Sequence, residues 1–255
     1  MIRFEAVSRV FPRGKSDSVT ALDNLTLDVR TGETLALLGP SGCGKTTTLR
    51  LLNRLLEPSS GHIFVDDVDT TTVDPVALRR RMGYVVQRGG LFPHLTVARN
   101  IGLLPELEGW SRDRIAARVD ELLSLVRLPP DQFRDRFPKE LSGGQQQRVG
   151  VARALALDPE FLLMDEPFGA LDPITRKQLQ QEFLELDSLI AKTVVLVSHD
   201  LDEAFLLGDR VALLNQGRLI QVGTPDDLQN NPSSDWVRSF VHSHAPDVPT
   251  PVGVS

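Results

Sequence analysis

Gly39-Pro40-Ser41-Gly42-Cys43-Gly44-Lys45-Thr46, followed by Thr47, is the stretch on which the fold turns. It fits the pattern G-x-x-x-x-G-K-[ST], with a short apolar strand predicted over residues 34–39 and a helix from about Lys45. Glycines let the backbone turn tightly, so that several N–H groups face phosphate oxygens. The helix start adds the positive end of its dipole. Lys45 supplies a point charge for the β- and γ-phosphates, and the Thr46 hydroxyl is a hard oxygen suited to Mg²⁺. Cys43 inside the loop reads as a small space-filler, because no base stands near it in sequence. The loop alone does not separate kinases, GTPases and ATPases, but no N-K-x-D string supports a guanine site.

Outward from the loop, residues 161–166 form an apolar strand ending in Asp165 and Glu166. A buried parallel strand delivers its terminal carboxylates to the same sheet edge as the phosphate loop. Asp165 is placed to hold Mg²⁺, and Glu166, on the other side of the strand, to polarise an attacking water. A third stretch, Leu141-Ser142-Gly143-Gly144-Gln145, starts another helix with an N-cap serine and open N–H groups. One phosphate chain does not need two such cradles from one subunit, whereas two subunits arranged head to tail would use both.

The rest of the chain fits an α/β protein. Residues 2–7 and 25–29 alternate and read as antiparallel strands around a polar stretch at 13–18. Helical periodicity dominates from about 97 to 156, with Ile115, Val119, Leu122, Leu123 and Val126 on one face. A long amphipathic helix carries Leu179, Phe183, Leu186 and Ile190, a strand covers 193–198, and 210–214 with 218–222 read as a hairpin. The predicted fold is α/β: a P-loop NTPase (RecA-like) core, an N-terminal antiparallel β-subdomain and an inserted α-helical subdomain at about 88–156. One domain is expected over 1–244, with a disordered proline-rich tail at 245–255. The net charge of −6 argues against a nucleic-acid partner, and the single cysteine fits a reducing compartment. No apolar run nears the ~20 residues of a membrane span. His62, His94, His242 and His244 show no ligand spacing.

Taken in order, the phosphate loop at 39–46, Gln87, the LSGGQ at 141–145, the strand 161–165 with Glu166, Ala170-Leu171-Asp172 and His199 resemble the nucleotide-binding subunit of an ATP-binding cassette transporter. The resemblance covers residues 1–240. It implies that two copies sandwich two ATP molecules, each site joining Lys45 and Thr46 of one copy to Ser142, Gly143, Gly144 and Gln145 of the other. It implies Glu166 as general base, His199 at the γ-phosphate, Asp172 at the composite site, and Gln87 as sensor of Mg²⁺ and of the membrane partner. Phe11 stands where an aromatic residue, usually tyrosine, stacks on adenine, and Ser198 stands where threonine is commoner.

The segment Leu91-Phe92-Pro93-His94-Leu95-Thr96-Val97 with Asn100-Ile101 resembles separate importer subunits, and an exposed Leu91-Phe92-Pro93 would offer an apolar socket to a permease helix. Asn53-Arg54-Leu55, Gly109-Trp110, Leu128-Pro129-Pro130 and residues 169–176 resemble the osmoprotectant group, which takes up glycine betaine, choline, carnitine or proline betaine. The implied cofactors are ATP and Mg²⁺. The implied partners are a second copy in the ATP-bound state, transmembrane permease subunits and, indirectly, a substrate-binding protein. The implied location is peripheral, on the cytoplasmic face of the cell membrane. The rivals are an amino-acid importer and a soluble, non-transport cassette ATPase.

Overall fold

A computed structural model describes residues 1–13, 17–87, 90–190 and 192–242, with only the backbone at 13, 17 and 186–190. The chain opens with two long strands, β1 (Ile2–Arg13) and β2 (Asp17–Val29), paired antiparallel. Each was predicted as a short piece. The alternation is broken by register shifts between Phe4 and Val7, between Val7 and Arg9, and between Arg9 and Val10, with Ala6 in the left-handed region. Strand β3 (Thr34–Leu38), buried throughout, then feeds the glycine loop and helix α1 (Lys45–Leu52). The chain returns as β4 (Ser60–Val65) and β5 (Val68–Asp69), completing an antiparallel sheet of order β2-β1-β4-β5.

Helix α2 (Pro75–Arg80), capped by Asp74, leads to β6 (Met82–Val85). The helical insert comprises α3 (Val97–Leu107), α4 (Arg112–Leu125), the single turn α5 (Pro130–Phe133) and α6 (Gly143–Ala154). The stripe read on α4 is its packing face: Val119, Leu122, Leu123 and, just beyond, Val126 are buried, with Ile115 against them. Thr96, Ser111 and Ser142 cap α3, α4 and α6.

Strand β7 (Phe161–Asp165), helix α7 (Pro173–Ile190), strand β8 (Thr193–Val197) and helix α8 (Leu201–Leu207) follow. Leu179 and Phe183 of α7 are buried as read; the side chains of Leu186 and Ile190 lie outside the described residues. The hairpin of β9 (Arg210–Asn215) and β10 (Arg218–Gly223) turns through Gln216 and Gly217, both left-handed. The main sheet has the order β10-β9-β3-β8-β7-β6, parallel except for β10.

One face of this sheet shares a core with the helical insert. Phe161, Leu163, Val195 and Val197 alternate onto the other face, which packs on α1 and the antiparallel sheet. A third core, under α8, α9 (Pro225–Asn230) and α10 (Asp235–His242), buries Val237 and Val241. The tail from Ala245 lies outside the described residues.

Candidate active site

The strands β3, β8, β7 and β6 lie side by side, and each ends in a residue group singled out from the sequence. Beyond β3 runs the glycine loop, beyond β8 Ser198-His199, at the end of β7 Asp165-Glu166, and two residues beyond β6 Gln87. Parallel pairing with matched register, Asp165 opposite Val197 and Val85 opposite Met164, brings these ends to one edge.

The loop is built by close backbone approach. A Cβ on Gly44 would meet the Ala21 carbonyl oxygen and Leu22 Cδ2 at 2.6 Å, and Gly44, at φ 111°, is the N-cap of α1. At Gly39 a Cβ would run into the Leu214 carbonyl oxygen. Lys45 is 6% exposed, and its Nζ donates to the carbonyls of Gly39 (2.6 Å) and Pro40 (3.1 Å), so its charge is pinned inside the loop. Cys43 is buried beneath it, and burial pushes its thiol up, away from the reactive thiolate. Ser41 and Gly42 form the outer turn, and Thr47 follows on the first turn of α1.

Thr46 Oγ1 donates to Asp165 Oδ1 at 2.8 Å. Burial pushes the Asp165 carboxyl up; Thr46 and Arg50 pull it back, and neighbouring Glu166 adds to the rise. A hydroxyl beside a carboxylate is the donor set Mg²⁺ takes when phosphates and water complete its shell. Among the described residues no group of three or more His, Cys, Asp or Glu side chains could hold a metal.

Tyr84, the chain's one tyrosine, donates to Asp165 Oδ2 at 3.4 Å. Burial, with Asp165 beside it, pushes its phenol up to about 12. Sequence reasoning missed Tyr84 and its strand. The available signal was the short Met82-Gly83-Tyr84-Val85 run just before Gln87.

Glu166 sits in the left-handed region, φ 45°, with its N–H donating to the Val197 carbonyl at 3.0 Å. Its Oε2 accepts from Gln87 Nε2 at 2.5 Å and lies 3.1 Å from His199 Nδ1. The Glu166 side chain is 20% exposed and that of His199 49%, so the pair faces outward from the edge. Gln87, expected at the metal as well, has no hydrogen bond to Thr46 or Asp165 among the described residues.

Ser142 and Gln145 form a reciprocal capping box: Ser142 N–H donates to Gln145 Oε1 at 2.9 Å, and Gln145 N–H to Ser142 Oγ at 3.3 Å. Gly143 faces Leu171, and a Cβ on Gly144 would meet Thr175 Cγ2 at 2.8 Å, so α6 approaches the start of α7 closely. No hydrogen bond or ion pair joins 142–145 to the glycine loop among the described residues. Asp172 accepts from the N–H groups of Ile174 (3.2 Å) and Thr175 (3.0 Å), capping α7; the Thr175 side chain, foremost, and then these N–H groups hold its carboxyl low. Phe11 belongs to no core cluster; it is half-buried on β1 with the Arg9 guanidinium 4.6 Å above its ring.

Comparison with known proteins agrees with this geometry. The sequence model of the ABC transporter family matches residues 22–169. The chain is 52% identical over 241 residues to the glycine betaine/carnitine/choline transport ATP-binding protein OpuCA of Bacillus subtilis, covering 94% of this chain and 62% of that one. It is 49% identical over 240 residues to the glycine betaine uptake system ATP-binding protein YehX of Escherichia coli, covering 94% of this chain and 76% of that one. A solved dimeric ATP-binding cassette in a post-hydrolysis state, bound to ADP and Pi, superposes with a TM-score of 0.78 at 33% identity, over 88% of this chain and 99% of the other. The chain spans about three fifths of the length of the first curated relatives it matches.

Proposed function

The chain belongs to the ABC transporter family of ATP-binding cassettes, and from that premise we propose that it is the ATP-binding and ATP-hydrolysing subunit of an importer for quaternary-amine osmoprotectants. The observation that carries the ATPase reading is the convergence of Lys45, Thr46, Asp165, Glu166, Gln87 and His199 at one sheet edge. The glycine loop and the start of α1 bind the phosphates, with Lys45 released from the Gly39 and Pro40 carbonyls to meet them. Thr46 and Asp165 would hold Mg²⁺, which when bound offsets charge on the transferring phosphoryl group. Glu166 accepts the proton of the attacking water, and His199 and Gln87, both on its Oε2, aim it. Phe11 stacks on the adenine.

Ser142, Gly143, Gly144, Gln145 and Asp172 serve the nucleotide held by a second copy, and the solved cassette relative is itself dimeric. That they do not join the glycine loop of their own chain supports this reading. Among the described residues no helix is long and apolar enough to cross a membrane. The transport relatives support coupling through permease subunits and, through them, a substrate-binding protein. Within the expected socket, Leu91 packs on the helical core, whereas Phe92 is 41% exposed. Nearby, exposed Val76, Leu104 and Leu107 line a groove of about 410 Å³ between α2 and α3, and this groove with Phe92 is the permease face. The position is peripheral, at the cytoplasmic face.

The substrate class rests on the two transport relatives, because substrate is read by other subunits. Its test is uptake in vesicles holding the full complex, with glycine betaine, choline, carnitine and amino acids compared. ATP-dependent uptake of quaternary amines is expected. Uptake of amino acids alone would overturn the substrate class and leave the ATPase reading.

A further inference from the structure

Behind His199 lies a polar cluster, buried at Gln180 and Glu203 and half-buried at Arg176 and Asp200, that the proposed hydrolysis does not use. Asp200 accepts from Glu203 N–H through Oδ1 at 3.1 Å and from Arg176 Nη1 through Oδ2 at 3.3 Å. The other terminal nitrogen of Arg176 donates to the Leu171 carbonyl at 3.3 Å, while its Nε is buried without a partner. One turn further along α7, Gln180 Nε2 donates to Glu203 Oε2 at 3.1 Å, with Gln180 5% and Glu203 4% exposed.

Packing alone does not call for this chemistry. Burying the Glu203 carboxyl and half-burying the Arg176–Asp200 ion pair is costly, and apolar residues of the same size would fill the space at lower cost. What the cluster provides is direction. Arg176 and Gln180, four residues apart, lie on one face of α7. They grip Asp200 and Glu203, the cap and the first turn of α8. His199 is the residue immediately before Asp200. Through the Leu171 carbonyl the same guanidinium holds the turn at 169–172. Both gripped segments reach the reacting carboxylate: a Cβ on Gly169 would lie 3.3 Å from Glu166 Oε2 and 3.4 Å from His199 Cε1. A slip of either segment against the other would open or close that contact.

We propose that Arg176 and Gln180, acting through Asp200 and Glu203, are positioning residues that lock the His199 loop and the 169–172 turn into one rigid unit. The unit carries any displacement of the exposed 169–174 segment, where a second copy would press, to the residue that aims the water. The inference deepens the ATPase reading above and rests on it for the role of His199.

The test uses the full chain with Arg176→Met, Gln180→Leu and Arg176→Lys. Backbone hydrogen exchange and steady-state ATP hydrolysis are measured on each. Arg176→Met is expected to speed exchange about tenfold or more in 198–203 and in 169–172 together. Its kcat is expected to fall about tenfold with KM for ATP within about twofold, and Arg176→Lys to recover most of the loss. Should Arg176→Met not fold, Gln180→Leu, which removes the donor to Glu203, is expected to speed exchange in 198–203 and to lower kcat with KM for ATP unchanged. Faster exchange in only one segment of Arg176→Met, no change of exchange in 198–203 of Gln180→Leu, or an unchanged kcat with a lowered Tm, would overturn the proposal. Exchange reads the grip without turnover. Coupled exchange in a chain whose wild type hydrolyses no ATP would therefore overturn the ATPase reading and sustain the grip.

Discussion

Glu166 is the residue on which the proposed chemistry rests, and its backbone shows what placing it takes. A left-handed glutamate costs on the order of 1–3 kcal/mol, tolerated here because the Val197 carbonyl, Gln87 and His199 all fix it. Glu166→Gln keeps the volume and the acceptor oxygen but removes the base, so turnover should fall about 10²–10⁴-fold. ATP affinity, measured by equilibrium titration, should stay within about twofold. Lys45→Ala should instead weaken ATP binding itself, because it removes the one buried cation of the loop. Glu203 makes a pH prediction. Burial, foremost, pushes its carboxyl from 4.5 up to about 7, with Asp200 adding to the rise and Ser198, Gln180 and Arg176 opposing it. The folded chain thus holds this proton where the unfolded chain has lost it, and stability falls as pH rises from about 4.5 to 7. Glu203→Gln should remove up to about 3 kcal/mol of that loss, seen as a smaller drop in denaturant midpoint between pH 5 and pH 8. At this scale the sequence showed Lys45, Thr46, Asp165 and Glu166, because each belongs to a spaced pattern. Tyr84 and Glu203 belong to none. Their roles depend on which strand lies beside β7 and which helix packs on α8, and only the folded chain settles that.

Among the elements, α6 joins the two halves of the account. Gly144 lets its first turn approach Thr175, so Gly144→Val should push α6 off α7 and abolish turnover. Nucleotide binding at the glycine loop should survive, because that loop touches neither helix by a hydrogen bond among the described residues. Phe92→Glu is expected to leave ATP hydrolysis intact and to cut uptake in the assembled transporter, since Phe92 is exposed and its side chain takes no part in the Glu166 hydrogen bonds. Long periodic elements such as α4 and α7 were legible from their stripes. The bulged β1 and β2 were legible only in part, since each register shift reverses the alternation that marks a strand. The short β6, α2 and α9 carry too few residues for any period to show, whereas α10 carries one, in Trp236, Val237, Phe240 and Val241, that went unread.

For the whole molecule, the order of motifs along the chain is what made the fold readable. An antiparallel sheet, a loop–helix unit, a helical insert and further β/α units could be placed before any coordinates because each motif requires its own strand or helix. The third core, beneath α8, α9 and α10, was legible only in part: Ala36, Leu38, Val211 and Leu213 lie on strands read from the sequence, whereas Leu228, Val237 and Val241 belong to no motif and to no long stripe. The central claim is that hydrolysis belongs to a pair of chains. A symmetric pair makes two equivalent composite sites, each taking the glycine loop of one copy and Ser142 to Gln145 of the other. Lys45→Ala spoils one half of a site and Ser142→Arg the other. Mixed, the two variants form some dimers in which both defects fall in one site and the other site is intact. ATP hydrolysis by each variant alone and by their equal mixture is therefore the most direct measurement. Each alone should be inactive, and the mixture should regain about a quarter of wild-type turnover, since half the dimers carry one intact site of two. A mixture as inactive as its components, or a Ser142→Arg chain active by itself, would contradict the account.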